Sequence, residues 1–314
     1  MAMLNTTAYL DRIAYSGGTE PSAETLRALH RAHMLAVPFE NLDIQLGRPI
    51  VCAEESFLHK IVTERRGGFC YELNGAFAAL LRALGFRVAM LSARVAGADG
   101  RYGREFDHLT LRVVDTFVDA RVDTRVNILR DVVPTGPHST WLADVGFGDS
   151  FIEPLLLQPD LAQSQNGRLY RVVESGSQSN GESKGEIEGE IESVFYMEVK
   201  DEVQTKVKIE AKPLRGSAEE EKPIHENWKR KFSFTLEPRQ LSDFAAMCRY
   251  HQTSPESHFT RQRLCSRATP EGRITLSDRK LIETREGSRT ERELAGDREW
   301  RATLRGLFQI DLPG

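Results

Sequence analysis

Arg66-Gly-Gly-Phe-Cys70-Tyr-Glu-Leu-Asn74 is the stretch on which the fold turns. Two glycines lead into a cysteine. From there Leu73, Phe77, Leu80, Leu81 and Leu84 recur at spacings of three and four, and Gly85 stands where a helix-ending glycine belongs. The pattern predicts a helix running to Leu84 with Cys70 in its first turn. Upstream, Pro21 and Glu24 suit a helix start, Leu26, Leu29, His30 and His33 continue it, and Val37-Pro38 stops it. Downstream of Gly85 the apolar period changes to two. Phe86–Val95, Leu109–Val114 and Trp141–Phe147 read as strands, followed by Arg168–Val173, Ser193–Lys200 and Val203–Ile209, with residues 97–104 as a hairpin loop. Leu241–Arg249 reads as a short amphipathic helix. Gly272–Ser277, Lys280–Thr284 and Thr290–Leu294 then form a small antiparallel sheet, closed by a helix over Asp297–Phe308. Helices, then strands, then a mixed segment predict an α+β chain of several domains rather than one α/β wind. The expected divisions are 1–85, 86–212 and 213–314, with insertions in the middle part at 115–139 and 174–193. The second insertion is a Ser-, Gly- and Glu-rich tract that repeats GEIE and reads as a solvated loop.

Composition narrows the function classes. The chain has 314 residues, 40% hydrophobic and 28% charged, enough apolar material for a sizeable core. Its 42 Lys and Arg against 46 Asp and Glu give a net charge of −4, so no basic field for nucleic acid or an anionic membrane is expected. No window approaches the length of a membrane span. The Met1–Asp11 stretch has neither a basic flank nor an apolar run, so a cytoplasmic protein without a secretory leader is expected. Four cysteines without a CxxC form neither a disulfide framework nor a zinc site. Cys52, Cys248 and Cys265 read as small core hydrophobes. His30 and His33 lack a third metal ligand and read as an ordinary helix face.

Cys70 is different. A thiol is a weak nucleophile until ionised, and a helix N-terminus favours the thiolate through free N–H groups and the positive dipole end. Gly67 and Gly68 let the backbone turn sharply there and let an acyl group approach, with nearby N–H groups as oxyanion donors. A thiolate needs a positive partner and a proton carrier, the work of histidine near neutral pH. His108, in Phe106-Asp-His108-Leu-Thr-Leu-Arg-Val, opens a strand. A carboxylate on its far nitrogen would fix its tautomer, and Asp144, in Leu142-Ala-Asp144-Val-Gly-Phe-Gly148, ends another strand at a glycine turn. Asp115, Asp119, Asp123 and Asp131 also lie between them, but only Asp144 has that setting.

RGGFCYELN, DHLTLRV and ADVGFG, in that order, resemble the three signature segments of arylamine N-acetyltransferases. Tyr9–Ile13, Leu29-His30, Val37–Ile44 and Tyr250–Phe259 extend the similarity over nearly the whole chain. The resemblance implies an N-terminal helical bundle, a central antiparallel β-barrel and a C-terminal α/β lid. It implies a catalytic triad of Cys70, His108 and Asp144, and substrate contacts from Phe39, Phe147 and Gly148. It further implies a hydrogen bond from Asn74 to the triad aspartate, and a structural pairing of Arg66 with Glu40. The implied reaction moves an acetyl group from acetyl-CoA to an arylamine, arylhydrazine or related amine through an acetyl-cysteine. That is xenobiotic metabolism with no permanently bound cofactor, no nucleic-acid or membrane partner, and a monomer or dimer left open. The long His108–Asp144 connection and the acidic insertion depart from the family pattern. The 97–104 loop and Lys229-Arg-Lys231 are candidates for the CoA phosphates. A macrolactam-forming amide synthase, a cysteine hydrolase and a non-catalytic module are the competing readings.

Overall fold

The computed structural model describes residues 5–115, 139–175, 193–201 and 228–312. The expected strand Val203–Ile209, nearly all of both expected insertions, and Asp119, Asp123 and Asp131 lie outside these residues. The N-terminal part is helical: α1 (Thr6–Arg12), α2 (Ala23–Ala36), α3 (Leu42–Gln45), α4 (Glu54–Leu58) running into a π-helical turn at His59–Thr63, and α5 (Cys70–Ala83). Ser22 caps α2 by accepting the Thr25 N–H at 3.2 Å. Val37, extended before Pro38, ends it. Nearly every residue of α5 is buried, as suits a helix surrounded on all sides by protein.

Eight strands form one antiparallel sheet: β2 (Arg87–Val95), β3 (His108–Val114), β4 (Thr140–Ala143), β5 (Leu155–Leu156), β6 (Gln163–Gln165), β7 (Arg168–Glu174), β8 (Phe195–Asp201) and β9 (Lys229–Phe234). Their order is β5-β4-β3-β2-β9-β8-β7-β6. The two outer strands meet through Gln163, whose amide accepts the Leu156 N–H at 2.8 Å and donates to its carbonyl at 3.1 Å. This nearly closes the sheet into a barrel and covers edges that would otherwise be free. Its interior holds Leu91, Leu142, Phe151, Met197, Phe232 and Phe234.

Besides short strands of two or three residues, two longer strands were not foreseen. β9 lies beyond residue 212 in the chain, yet pairs with both β2 and β8. Its opening Lys229 and Arg230 hide the buried Phe232 and Phe234 from a reading by period. The other is β10 (Leu264–Thr269), in a second sheet ordered β1-β10-β11-β12-β13, where β1 is Phe39–Glu40, β11 Gly272–Ser277, β12 Lys280–Arg285 and β13 Ser288–Glu293. A two-residue strand from the helical part thus borders the C-terminal sheet, with Phe39 opposite Ser266. A 3-10 turn (Leu241–Phe244) leads into α6 (Ala245–Thr253), then α7 (His258–Arg261). α8 (Asp297–Phe308) packs Trp300, Leu304 and Phe308 against this sheet. The chain is therefore α+β, as expected. The expected strand Trp141–Phe147 stops at Ala143, and the chain then passes so close to α5 that a Cβ on Gly146 would fall 2.8 Å from the Cys70 Cα and 2.7 Å from the Asn74 amide. The chain must turn there.

Candidate active site

Beneath the start of α5 lies a buried ion network. Arg66 pairs with Glu40 at 2.7 Å and Asp43 at 2.6 Å, while Lys60 pairs with Asp43 and Glu72, both at 2.8 Å. Glu72 also accepts the Phe69 N–H at 3.0 Å, capping the helix one residue before Cys70. The paired glycines serve close packing. A Cβ on Gly67 would stand 1.9 Å from the Pro38 carbonyl oxygen, and Gly68 bridges to Phe39. Glycine at both positions lets β1 lie against the approach to α5.

Cys70, His108 and Asp144 come together, buried, from α5, β3 and the end of β4. His108 Nε2 donates to Asp144 Oδ2 at 2.6 Å, which leaves Nδ1 for the hydrogen bond with the Cys70 thiol. Asp144 Oδ1 accepts from Asn74 Nδ2 at 2.9 Å and from the Gly146 N–H at 3.0 Å. Burial alone would raise the Asp144 carboxyl, but the His108 charge and these donors hold it below the usual carboxylate range. Burial would likewise strip the proton from His108. The ionised Asp144 opposes it and keeps the ring protonated, its pKa pushed up to about 10. On Cys70 burial wins and raises the thiol above its ordinary range, against the pull of the His108 hydrogen bond and charge and of the Leu109 N–H. Burial outweighs what the helix end offers the thiolate, and His108 supplies the counter-charge. In His108→Gln the pH midpoint of Cys70 alkylation by iodoacetamide should rise by about 1–3 units. An unchanged midpoint would break the pairing.

Phe39, Phe147 and Gly148 border the same cleft as Cys70 and His108, a space of about 1740 Å³ between the barrel and the second sheet. Phe147 stands edge-on to the His108 ring, centroids 5.2 Å apart. Gly148 has φ +83°, and a Cβ there would touch the Phe39 ring at 3.7 Å. Asp115 is elsewhere, bonding the Ser139 N–H at 3.0 Å and the Trp141 indole at 3.3 Å. The 97–104 loop borders the cleft through Gly97, Asp99, Arg101, Tyr102 and Gly103. Lys229, Arg230 and Lys231 are not in that lining. Arg230 instead pairs with Glu198 at 3.2 Å.

Two site residues escaped the sequence. His30 is no plain helix face: its Nε2 accepts the Asp144 N–H at 3.1 Å and its Nδ1 donates to the Ile152 carbonyl at 2.9 Å. Burial holds it neutral, its pKa lowered to about 4. Its place beside Leu26 and Leu29 on a buried face was the available signal. Phe232 backs both the His108 and Phe147 rings, at 5.4 and 5.2 Å. No spacing relates a residue of β9 to one of β3.

A family model described as N-acetyltransferase matches residues 22–121 and 131–314. The chain belongs to the arylamine N-acetyltransferase family. A chicken (Gallus gallus) protein named as an arylamine N-acetyltransferase, the pineal gland isozyme NAT-3, is 30% identical over 97% of this chain and 93% of its own. The solved arylamine N-acetyltransferase of Salmonella typhimurium superposes with a TM-score of 0.74 at 27% identity, covering 99% of this chain and 93% of that one. The Mycobacterium marinum enzyme in complex with CoA gives 0.71 at 26%, covering 98% and 93%. Among the described residues no helix is long and apolar enough to cross a membrane, and no group of three or more His, Cys, Asp or Glu is placed to hold a metal ion.

Proposed function

We propose that the chain transfers an acetyl group from acetyl-CoA to an arylamine, arylhydrazine or related amine, in two steps through acetyl-Cys70. The observation that carries this is the hydrogen-bonded series Cys70–His108–Asp144 on the wall of an aromatic-lined cleft. The reacting form is the ion pair in which the thiol proton has passed to His108, a form that the ionised Asp144 on the ring's far side favours. The Cys70 thiolate attacks the thioester carbon, the carbon–sulfur bond to CoA breaks, and His108 protonates the departing CoA sulfur. The amine then enters against Phe39 and Phe147 and attacks the acetyl carbon. The bond to Cys70 breaks, and His108 takes the proton released by the nitrogen. Splitting one transfer into two gives a ping-pong pattern. The solved relative holding CoA supports this donor. The reading places the work in the cytoplasm, on foreign amines, with acetyl-CoA as co-substrate and no permanently bound group.

Intact-mass measurement after incubation with acetyl-CoA alone tests it. One acetyl group should accumulate on Cys70 and disappear when aniline or a hydrazine is added. A cysteine hydrolase would retain no acetyl mass, and the proposal would fall.

A further inference from the structure

Phe106 is the strained point on the path into His108. Its φ of +62° lies in the left-handed region, which a bulky residue enters only when its surroundings hold it there. Ser92 Oγ accepts its N–H at 2.8 Å, and the Tyr71 hydroxyl donates to its carbonyl at 2.7 Å. Phe244 packs edge-on to its ring at 5.2 Å, and the Arg239 guanidinium lies over the ring at 5.4 Å. Asp107, the next residue, is gripped from the C-terminal part of the chain. His251 of α6 brings Nε2 to 3.3 Å from the Asp107 carbonyl oxygen and 3.2 Å from its Oδ1. Both oxygens are acceptors, so Nε2 carries the proton and Nδ1 accepts from the Ser257 hydroxyl at 3.2 Å. The Tyr71 hydroxyl also reaches the Asp107 carbonyl, at 3.3 Å. His251 is itself locked, 4% exposed, against the Phe259 ring at 5.2 Å and Tyr71 at 6.1 Å.

We propose that His251 is a positioning residue for His108: its Nε2–H pins Asp107 and, with Tyr71, fixes the strained Phe106–Asp107 turn that aims the His108 ring at Cys70. The inference rests on the Cys70–His108 chemistry proposed above. Asp144, Asn74 and His30 fix the far side of that ring; on the approach from residue 106, pairing of His108 with Ala93 of β2 and the Ser92 contact to Phe106 hold one side of the turn, and His251 with Tyr71 holds the other. The helix that holds it begins at residue 245, so the aim of the site's base depends on the part of the chain most distant in sequence.

The test compares His251→Phe, which keeps a ring and loses the donor, with His251→Gln, which restores an N–H near the Nε2 position. In His251→Phe the rate of Cys70 acetylation at saturating acetyl-CoA should fall roughly 10- to 100-fold, a loss typical of misplacing a reacting group by about an ångström. The pH midpoint of Cys70 alkylation should rise by about one unit. His251→Gln should recover most of both, a recovery that bulk packing would not produce. If His251→Phe does not fold, Tyr71→Phe, which removes only the hydroxyl, should move the alkylation midpoint in the same direction. A wild-type midpoint in the folded variant, or equal damage in the Phe and Gln variants, overturns the inference. His108→Gln separates the two readings. If it fails to move the midpoint, the triad reading itself has failed; if it moves the midpoint and His251→Phe does not, only the role of His251 is lost.

Discussion

Cys70→Ser is expected to reduce acetyl transfer by about 10⁴-fold or more, the scale on which losing the nucleophile of a hydrogen-bonded triad acts. The replacement is nearly isosteric and Cys70 sits at the first position of α5, so the helix and its cap on Phe69 should survive. The chemistry should not. His108 ionises a thiol across one hydrogen bond because thiol acidity lies within reach of an imidazolium held by Asp144. A hydroxyl is far less acidic and keeps its proton in the same place. CoA release in the presence of an arylhydrazine measures the loss directly. An unchanged melting temperature would show that the fold is intact, and activity near the wild-type level would end the assignment of Cys70.

Lys60→Met should cost about 3–5 kcal/mol of stability, the usual consequence of removing one partner from a buried charge network. Lys60 Nζ lies 2.8 Å from Asp43 and Glu72 and 3.6 Å from Glu40, and its side chain is 9% exposed. Without it three buried carboxylates would face Arg66 alone. A fall in Tm of roughly 10 °C is expected. The loss should depend on pH with a definite sign. Burial first, and Glu40 with it, raise Glu72 from 4.5 to about 7, against the pull of Lys60. The folded state therefore binds a proton that the unfolded chain releases above 4.5. Its contribution to stability is fully present below that value and is lost as pH rises through about 7. Removing Lys60 takes away the group that lowers Glu72, so the variant should recover stability on acidification more steeply than the wild type. Melting curves from pH 5 to 8 decide it. A Tm equal to wild type at pH 8 would mean that the network carries no stability.

The two longer strands that escaped the sequence, β9 and β10, share a physical reason with the two site residues that escaped it, His30 and Phe232. Periodicity reports how residues share a face within one element. It does not report which distant element covers that face. Lys229-Arg-Lys231 reads as a candidate for the CoA phosphates until β2 and β8 flank β9 and Glu198 takes Arg230. His30 reads as one more residue on a helix stripe until the Asp144 N–H is found against its ring. Other strands of the same eight-strand sheet were legible: β2, β3, β7 and β8 start or end within a residue or two of their expected positions, because alternating apolar residues and the bounding turns are local signals.

By itself the sequence determined that Cys70 lies in the first turn of a helix after two glycines, that His108 opens a strand, and that Asp144 stands at a strand end before a glycine turn. Each is a matter of local backbone preference and apolar spacing, written within about ten residues. Only the tertiary structure decided how the three face one another, and that burial raises the thiol against the pull of the imidazolium. Burial and ring orientation depend on contacts such as Phe232 of β9 on the His108 ring and His251 of α6 on Tyr71, far along the chain from the residues they constrain. Solvent exclusion and charge pairing act through space, so no spacing rule in the chain records them.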